Sequence, residues 1–141
     1  MYSGDYRISL DDRGRMRIPS KLREKLGKDF VMSAGTDGCA FLMNESDFET
    51  LIGPITRSAK LSEHEKMNML RKFYANVYTM TEDNQGRFVL PAKLKAYMKA
   101  SKGLVFVGML DRIEVWAEEI YDERFSTSVE DINNVVDMLG I

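Results

Sequence analysis

A stretch of 13 residues near the start of the chain returns 72 residues later, and this repeat limits the possible folds more than any other feature. The first copy spans residues 10–22 and the second spans residues 82–94. Both contain an aspartate, two variable residues, a glycine and an arginine, followed by an apolar-variable-apolar-proline segment and a lysine-leucine pair. Agreement over this length indicates a duplicated structural unit. The chain therefore consists of two modules, with a different segment between them and a tail after the second.

We expect the two modules to fold together, because each has roughly fifty residues and is too small to bury its hydrophobic face alone. The whole chain has 141 residues, 44% of them apolar, which suffices for one core. We predict four segments: a first repeat at 1–53, a connecting helix at 54–77, a second repeat at 78–125 and a C-terminal amphipathic helix at 126–141.

Within each repeat, the aspartate and the glycine predict a tight turn between two strands. Alternating apolar residues on both sides of the turn have the period of half-buried strands, which we expect to pair as a hairpin. The Asp11 side chain can accept hydrogen bonds from its own backbone, and Gly14 can adopt a positive φ angle. Asp83 and Gly86 occupy the same positions in the second copy. A short helix is predicted after the proline of each copy.

The remaining segments predict a second kind of hairpin and further helices. Residues 30–42 have the pattern of two strands around a glycine-rich turn. A helix is predicted to begin at Ser46, in a capping-box arrangement, and to end at Gly53 before a proline. A second capping box begins the connecting helix at Ser62. The segment 128–139 has apolar residues at helical spacing, and this stripe needs a covering surface on its own subunit or on a neighbouring one.

Positive charge is concentrated on the two repeated stretches. The net charge of the chain is -2, but residues 7–28 hold eight basic and three acidic side chains, and residues 83–102 hold five basic and one acidic. The rest of the chain is therefore strongly acidic. Such segregation indicates a local anionic partner rather than a uniformly charged surface.

The arginines of the first repeat are the candidate contacts for that partner. Arg13, Arg15 and Arg17 lie at the turn and along one strand face, where guanidinium groups can bond phosphates and guanine edges. Arg7 and Lys21 belong to the same basic segment. The alternative is an ordinary solvated strand face. The segregation of charge favours a nucleic-acid interface over it.

Other classes of site find little support in the residues. Asp11, Asp12 and Asp83 precede turn glycines, where a structural turn role is expected rather than catalysis. His64 is the only histidine and Cys39 the only cysteine, so neither a catalytic triad nor a zinc site can be assembled from them. No glycine-rich nucleotide-binding loop occurs. We predict no enzymatic activity, no metal and no cofactor.

The sequence also favours a soluble protein of the cytoplasm. No segment is long and apolar enough to cross a bilayer, so no membrane partner is expected. A single cysteine fits a reducing compartment, because it leaves no intrachain disulfide to form.

The two Asp-x-x-Gly-Arg segments, the turn at 35–38 followed by Cys39, and the length of the chain make it resemble the MraZ family of bacterial transcriptional regulators. One copy, residues 7–27, also resembles the DNA-binding domain of AbrB-type regulators and antitoxins. The resemblance implies an α+β fold in which both halves build a swapped-hairpin β-barrel with peripheral helices. It further implies a nucleoid-associated, ring-shaped homo-oligomer. Such a ring would bind double-stranded DNA at direct repeats in a promoter and repress its own division and cell-wall operon.

Within that resemblance, the Asp-x-x-x-Arg motif of the family corresponds to Asp11 with Arg15 and to Asp83 with Arg87. The second copy lacks counterparts of the other two arginines, so we expect the first copy to make the stronger DNA contact. An antitoxin-like module that grips a protein partner with its helices is the alternative. An enzyme using the aspartates is the least supported reading, because no base, nucleophile or metal site accompanies them.

Overall fold

The structure is a computed structural model that describes every residue from Met1 to Ile141. It contains eight strands and six helices, which confirms the predicted α+β class. The strands are β1 (Asp5–Ser9), β2 (Arg15–Met16), β3 (Phe30–Ala34), β4 (Ala40–Asn44), β5 (Val77–Thr79), β6 (Phe88–Val89), β7 (Gly103–Met109) and β8 (Arg112–Ala117). The helices are α1 (Ser20–Leu26), α2 (Glu45–Thr56), α3 (Glu63–Tyr74), α4 (Ala92–Met98), α5 (Glu118–Phe125) and α6 (Val129–Met138). None of them combines the length and apolar character that a transmembrane span requires.

Strands from the two repeats pair with each other. Six strands form an antiparallel sheet in the order β1-β7-β8-β4-β3-β5, and β2 pairs with β6 in a separate two-stranded ribbon. The predicted pairing of the strands on either side of the Asp11–Gly14 turn was therefore wrong, because β1 pairs with β7 and β2 with β6. The predicted hairpin of β3 and β4 is confirmed. Each repeat covers its apolar strand faces with the other repeat, as expected for halves too small to fold alone.

The pairing has an approximate twofold symmetry that follows from the repeat. In the β2-β6 ribbon, Met16 lies opposite Phe88, its own equivalent in the second copy. In the large sheet, Tyr6 lies opposite Phe106, and the equivalent pair is Tyr78 opposite Met32. A pseudo-twofold axis therefore passes through the ribbon, between the two Asp-x-x-Gly-Arg turns.

One core of 18 buried side chains unites the two halves. Most of its members form equivalent pairs from the two repeats, as Leu22 of α1 and Leu94 of α4 do, and both of these are buried. Phe30 and Phe88 meet edge to face with ring centroids 5.2 Å apart. Such burial of large apolar side chains is the main stabilising contribution, and here it fixes the ribbon that carries the turns.

Helix α3, which has one clear capping signal, begins where predicted, whereas the ends of α2 differ from the predicted ones. Ser62 caps α3 in a capping box with Glu65, as predicted. Helix α2 instead begins one residue after Asn44, whose side chain accepts the Asp47 N–H at 2.8 Å, so the predicted start at Ser46 was wrong. The predicted end at Gly53 was also wrong, because the helix continues through a proline to Thr56. Gly53 lies directly under the Arg57 side chain, where a Cβ atom would collide with the guanidinium group.

The apolar stripe of α6 has no partner within the chain. Its five apolar side chains expose between 40% and 79% of their surface to solvent, namely Val129, Ile132, Val135, Val136 and Leu139. The stripe was expected to be covered either by its own chain or by a neighbouring subunit, and its own chain does not cover it. The stripe is available to a neighbouring molecule.

Candidate nucleic-acid interface

The first Asp-x-x-Gly-Arg turn is held together by the Asp11 carboxylate. Its Oδ1 accepts the backbone N–H groups of Arg13 and Arg15, both at 2.9 Å. Its Oδ2 accepts Nε of Arg15 at 2.7 Å. Gly14 closes the turn with a φ of 72°, and open space surrounds the position of a Cβ, so the glycine is required by backbone conformation alone. The predicted structural role of the aspartate is confirmed.

The second turn repeats this geometry almost atom for atom. Oδ1 of Asp83 accepts the backbone N–H groups of Gln85 and Arg87 at 2.9 Å, and Oδ2 accepts Nε of Arg87 at 2.8 Å. Gly86 has a φ of 75°. The two arginines are therefore presented in the same way on both sides of the pseudo-twofold axis.

These bonds keep both aspartates ionised and both arginines oriented. The backbone N–H of Arg87, followed by that of Gln85 and the guanidinium of Arg87, lowers the pKa of Asp83 to about 2. The pKa of Asp11 is lowered as well, with the backbone N–H of Arg15 as the largest cause. Because each aspartate holds Nε, the two terminal nitrogens of Arg15 and of Arg87 keep their donors for an external acceptor.

The remaining arginines of the first repeat occupy different positions. Arg13 is exposed at the tip of the first turn, and its side chain has no hydrogen-bond partner in the chain. Arg17 reaches across the ribbon, and its Nη1 donates to the backbone carbonyl of Gln85 in the second turn. Sequence reasoning missed this crossing, which depends on β2 pairing with β6 rather than with β1.

A shallow cleft of about 300 Å³ joins the two turns. Three guanidinium groups line it, those of Arg15, Arg17 and Arg87, together with Ile8, Ser9, Asp11 and Met16. Three of the sequence-predicted contacts, Arg15 and Arg17 of the first repeat and Arg87 of the second, thus lie on one continuous surface, which we call the arginine cleft. Its cationic donors and its shallow shape suit the phosphate backbone of a polyanion.

Two other residues that were predicted to contact DNA, Arg7 and Lys21, do not line the arginine cleft. The Arg7 guanidinium binds Glu118 at 3.0 Å and Asp122 at 2.6 Å, and it stacks over the Tyr121 ring at 5.9 Å. Its positive charge is balanced within the chain, outside the arginine cleft. Lys21 is exposed on the first turn of α1, directly after the motif, and makes no ion pair.

No group of three or more histidine, cysteine, aspartate or glutamate side chains is placed to hold a metal ion. Cys39 is fully buried, and this burial raises its pKa to about 12, which leaves the thiol protonated. The largest cavity, about 640 Å³, is an open apolar groove between α2 and α3 that sequence reasoning did not find.

Comparison with known proteins gives a consistent result over the whole chain. The family described as "MraZ protein, putative antitoxin-like" matches residues 1–72 and again residues 73–137. The transcriptional regulator MraZ of Syntrophomonas wolfei is 36% identical over 145 residues, which cover all of both chains. The proteins of the same name from Caldicellulosiruptor saccharolyticus and Acetivibrio thermocellus are each 33% identical over 144 residues, again covering both chains completely.

Proposed function

The chain belongs to the MraZ family, whose members named above are transcriptional regulators, and on that premise we propose that it regulates transcription by binding double-stranded DNA through the arginine cleft. The observation that carries the proposal is the convergence of three guanidinium groups on one surface of the ribbon. Phosphate contacts from such groups would position the protein on DNA, and contacts to guanine edges would supply sequence preference.

Within this proposal the predicted residues take different roles. Arg13, Arg15, Arg17 and Arg87 contact DNA, and Lys21 adds a phosphate contact from the start of α1. Asp11, Gly14, Asp83 and Gly86 shape the turns and do not touch DNA. We assign Arg7 a structural role, because two carboxylates already neutralise it.

The target in this proposal is the promoter of the protein's own division and cell-wall operon, which the protein represses at short direct repeats. The fold in this proposal is a closed barrel in which the repeats exchange hairpins, with the four chain segments bounded as predicted. Cross-repeat pairing of β1 with β7 and of β2 with β6 supports the exchange.

Two unpartnered apolar surfaces of the chain support assembly into a ring. One is the exposed stripe of α6, and the other is the groove between α2 and α3, lined mainly by apolar side chains. Helix α6 has three acidic residues and no basic one, whereas Lys72 lines the groove. We propose that α6 of one subunit docks into the groove of the next. Because these are different surfaces of the same chain, the contact is head to tail, and such contacts form a ring when the rotation from one subunit to the next closes.

The experiment that tests DNA binding is a salt titration of the full-length protein on its own promoter DNA. We expect affinity to fall steeply with salt, and Arg15→Ala to reduce the slope of log K against log salt by about one for each lost phosphate contact. Arg71→Ala is the matched control, since it removes an exposed arginine of α3 that does not line the arginine cleft. An Arg15→Ala protein with wild-type affinity and slope would contradict the assignment.

A second candidate function is the binding of a protein partner by the helices, as in antitoxins. The description of the family as antitoxin-like and the exposed stripe of α6 favour it. Recovery of one stoichiometric foreign protein with the full-length chain, with no promoter DNA retained, would support this function over DNA binding.

A further inference from the structure

The pseudo-twofold axis allows each arginine to be compared with its equivalent in the other repeat. Arg15 and Arg87 are equivalent, and so are Arg17 and Val89. In the ribbon, Arg15 lies opposite Val89, and the next position of the antiparallel register brings Arg17 beside Arg87. Arg17 of the first repeat thereby lies at the turn that contains Asp83 and Arg87, which we call the second site; the turn that contains Asp11 and Arg15 is the first site. On the other side of the axis stands Val89, which is 62% exposed and offers no charge.

Contacts hold the Arg17 guanidinium at the second turn. Its Nη1 donates to the carbonyl of Gln85, at the tip of that turn. The same nitrogen lies 3.5 Å from the position that a Cβ of Gly86 would occupy. Since a guanidinium group has five N–H donors, this single bond leaves four for an external acceptor. Arg17 is thus oriented by the second turn, just as Arg87 is oriented by Asp83.

We propose that Arg17 belongs functionally to the second site, where it forms one phosphate-binding pair with Arg87, while Arg13 and Arg15 form the other pair at the first turn. This inference rests on the proposed DNA-binding function and assigns partners within it. It replaces the expectation, drawn from the aligned repeats, that the second site is the poorer one. In space each turn has two arginines, although three of the four come from the first repeat.

The test is a pair of double-mutant cycles on promoter DNA with the full-length protein. Two arginines that share one phosphate are coupled, so Arg17→Ala combined with Arg87→Ala is expected to lose clearly less affinity than the product of the single losses. If each single change costs about tenfold, the double costs well under a hundredfold. Arg17→Ala combined with Arg15→Ala is the matched cycle, and its losses should multiply, because those two residues serve different phosphates.

Other results would overturn either the inference or the proposed function. If the affinity losses of Arg17→Ala and Arg87→Ala multiply, and those of Arg17→Ala and Arg15→Ala are instead coupled, Arg17 belongs to the first site. That result would overturn the inference. Unchanged affinity in Arg17→Ala would overturn it as well. Wild-type protein that does not bind promoter DNA, or Arg15→Ala protein that binds like wild type, would instead refute the proposed function.

Two further variants distinguish damage to the fold of the second turn from the loss of a phosphate contact. Arg17→Gln keeps an amide donor for the turn but removes the charge, so we expect it to bind DNA as poorly as Arg17→Ala. Arg17→Lys keeps the charge and should recover part of the affinity and of the salt slope. Equal losses in Arg17→Lys and Arg17→Ala, with wild-type affinity in Arg17→Gln, would show that only the turn matters and would overturn the inference.

Discussion

At the scale of single residues, each turn aspartate both shapes the backbone and orients the arginine. One carboxylate oxygen of Asp83 binds two backbone N–H groups, and the other binds Nε of Arg87. An arginine held at Nε presents its terminal nitrogens in a defined direction, which reduces the conformational entropy lost when a phosphate binds. Under the proposed function, the aspartates would thus contribute to phosphate binding without contacting the phosphate.

The depressed pKa of Asp83 gives a prediction about acid stability. In the folded chain this pKa is about 2, whereas the ordinary value is 3.8, so the unfolded state takes up its proton first as pH falls. The contribution of Asp83 to stability is therefore complete above about pH 4 and is lost progressively toward pH 2. We expect Asp83→Asn to melt at a lower temperature than wild type at pH 7. Its melting temperature should also vary less between pH 4 and pH 2, as measured by circular dichroism.

Asp12→Asn is the matched control for this measurement. Asp12 is adjacent to the first motif aspartate, exposed, and without a hydrogen bond from its side chain. Its replacement should leave both the melting temperature at pH 7 and its acid dependence unchanged. Equal pH profiles for wild type and Asp83→Asn would contradict the role assigned to the carboxylate.

At the scale of elements, features decided by neighbouring residues could be predicted, and features decided by distant ones could not. The capping box of Ser62 and the β3-β4 hairpin depend on short spacings and were predicted correctly. The predicted start of α2 was wrong because Asn44 and Ser46 are both good caps, and the side chain that accepts the Asp47 N–H is that of Asn44. Alternation predicted that β1 and β2 are strands, but it cannot identify their partners in the other repeat.

The same distinction applies to the candidate site. The hydrogen bonds that the Asp11 carboxylate accepts from Arg15 were predictable, because aspartate and glycine at this spacing determine a local turn. The placement of Arg17 on the second turn depends on the β2-β6 pairing, which joins residues far apart in the chain. The repeat itself did contain the necessary signal. If two equivalent strands pair antiparallel about a twofold axis, one residue lies opposite its own equivalent, as Met16 does with Phe88, and its neighbours pair crosswise, as Arg15 does with Val89.

Helix α6 provides a prediction about assembly. Val135 is 58% exposed and lies in the apolar stripe, so Val135→Asp places a charge in the proposed subunit contact without disturbing the core of its own chain. We expect this variant to elute with the mass of a single chain or a small fragment of the ring in size-exclusion chromatography with light scattering. Its helical content should equal that of wild type.

The control for this variant is Asn134→Asp, which adds the same charge on the polar face of α6. Residue 134 shares that face with Glu130 and Asp137, at helical spacing, so the change should leave the assembly intact. Loss of assembly in both variants would mean that charge alone governs association. Retention of full assembly in Val135→Asp would refute the docking of α6.

At the scale of the whole molecule, the fold is nearly symmetric, but the surface proposed to bind DNA is not. The first turn has its additional arginine at the tip, as Arg13, whereas the second turn obtains Arg17 from the neighbouring strand. A symmetric surface would bind a DNA segment equally well in either direction. Under the proposed function, the unequal placement of arginines would give each subunit one preferred direction along the DNA, and the proposed head-to-tail ring would present the same direction from one subunit to the next.

This asymmetry leads to a prediction about the arrangement of operator repeats. Two repeats in the same orientation can engage two neighbouring subunits at once, and the second contact benefits from a high effective concentration. Inverting one repeat, with the spacing unchanged, forces one subunit into its unfavourable direction. We therefore expect the inverted DNA to bind at least about tenfold more weakly in fluorescence anisotropy at fixed salt. The single-chain form produced by Val135→Asp should not distinguish the two DNAs, because it engages one repeat at a time. Equal affinity of the assembled wild-type protein for both DNAs would show that its surface has no direction.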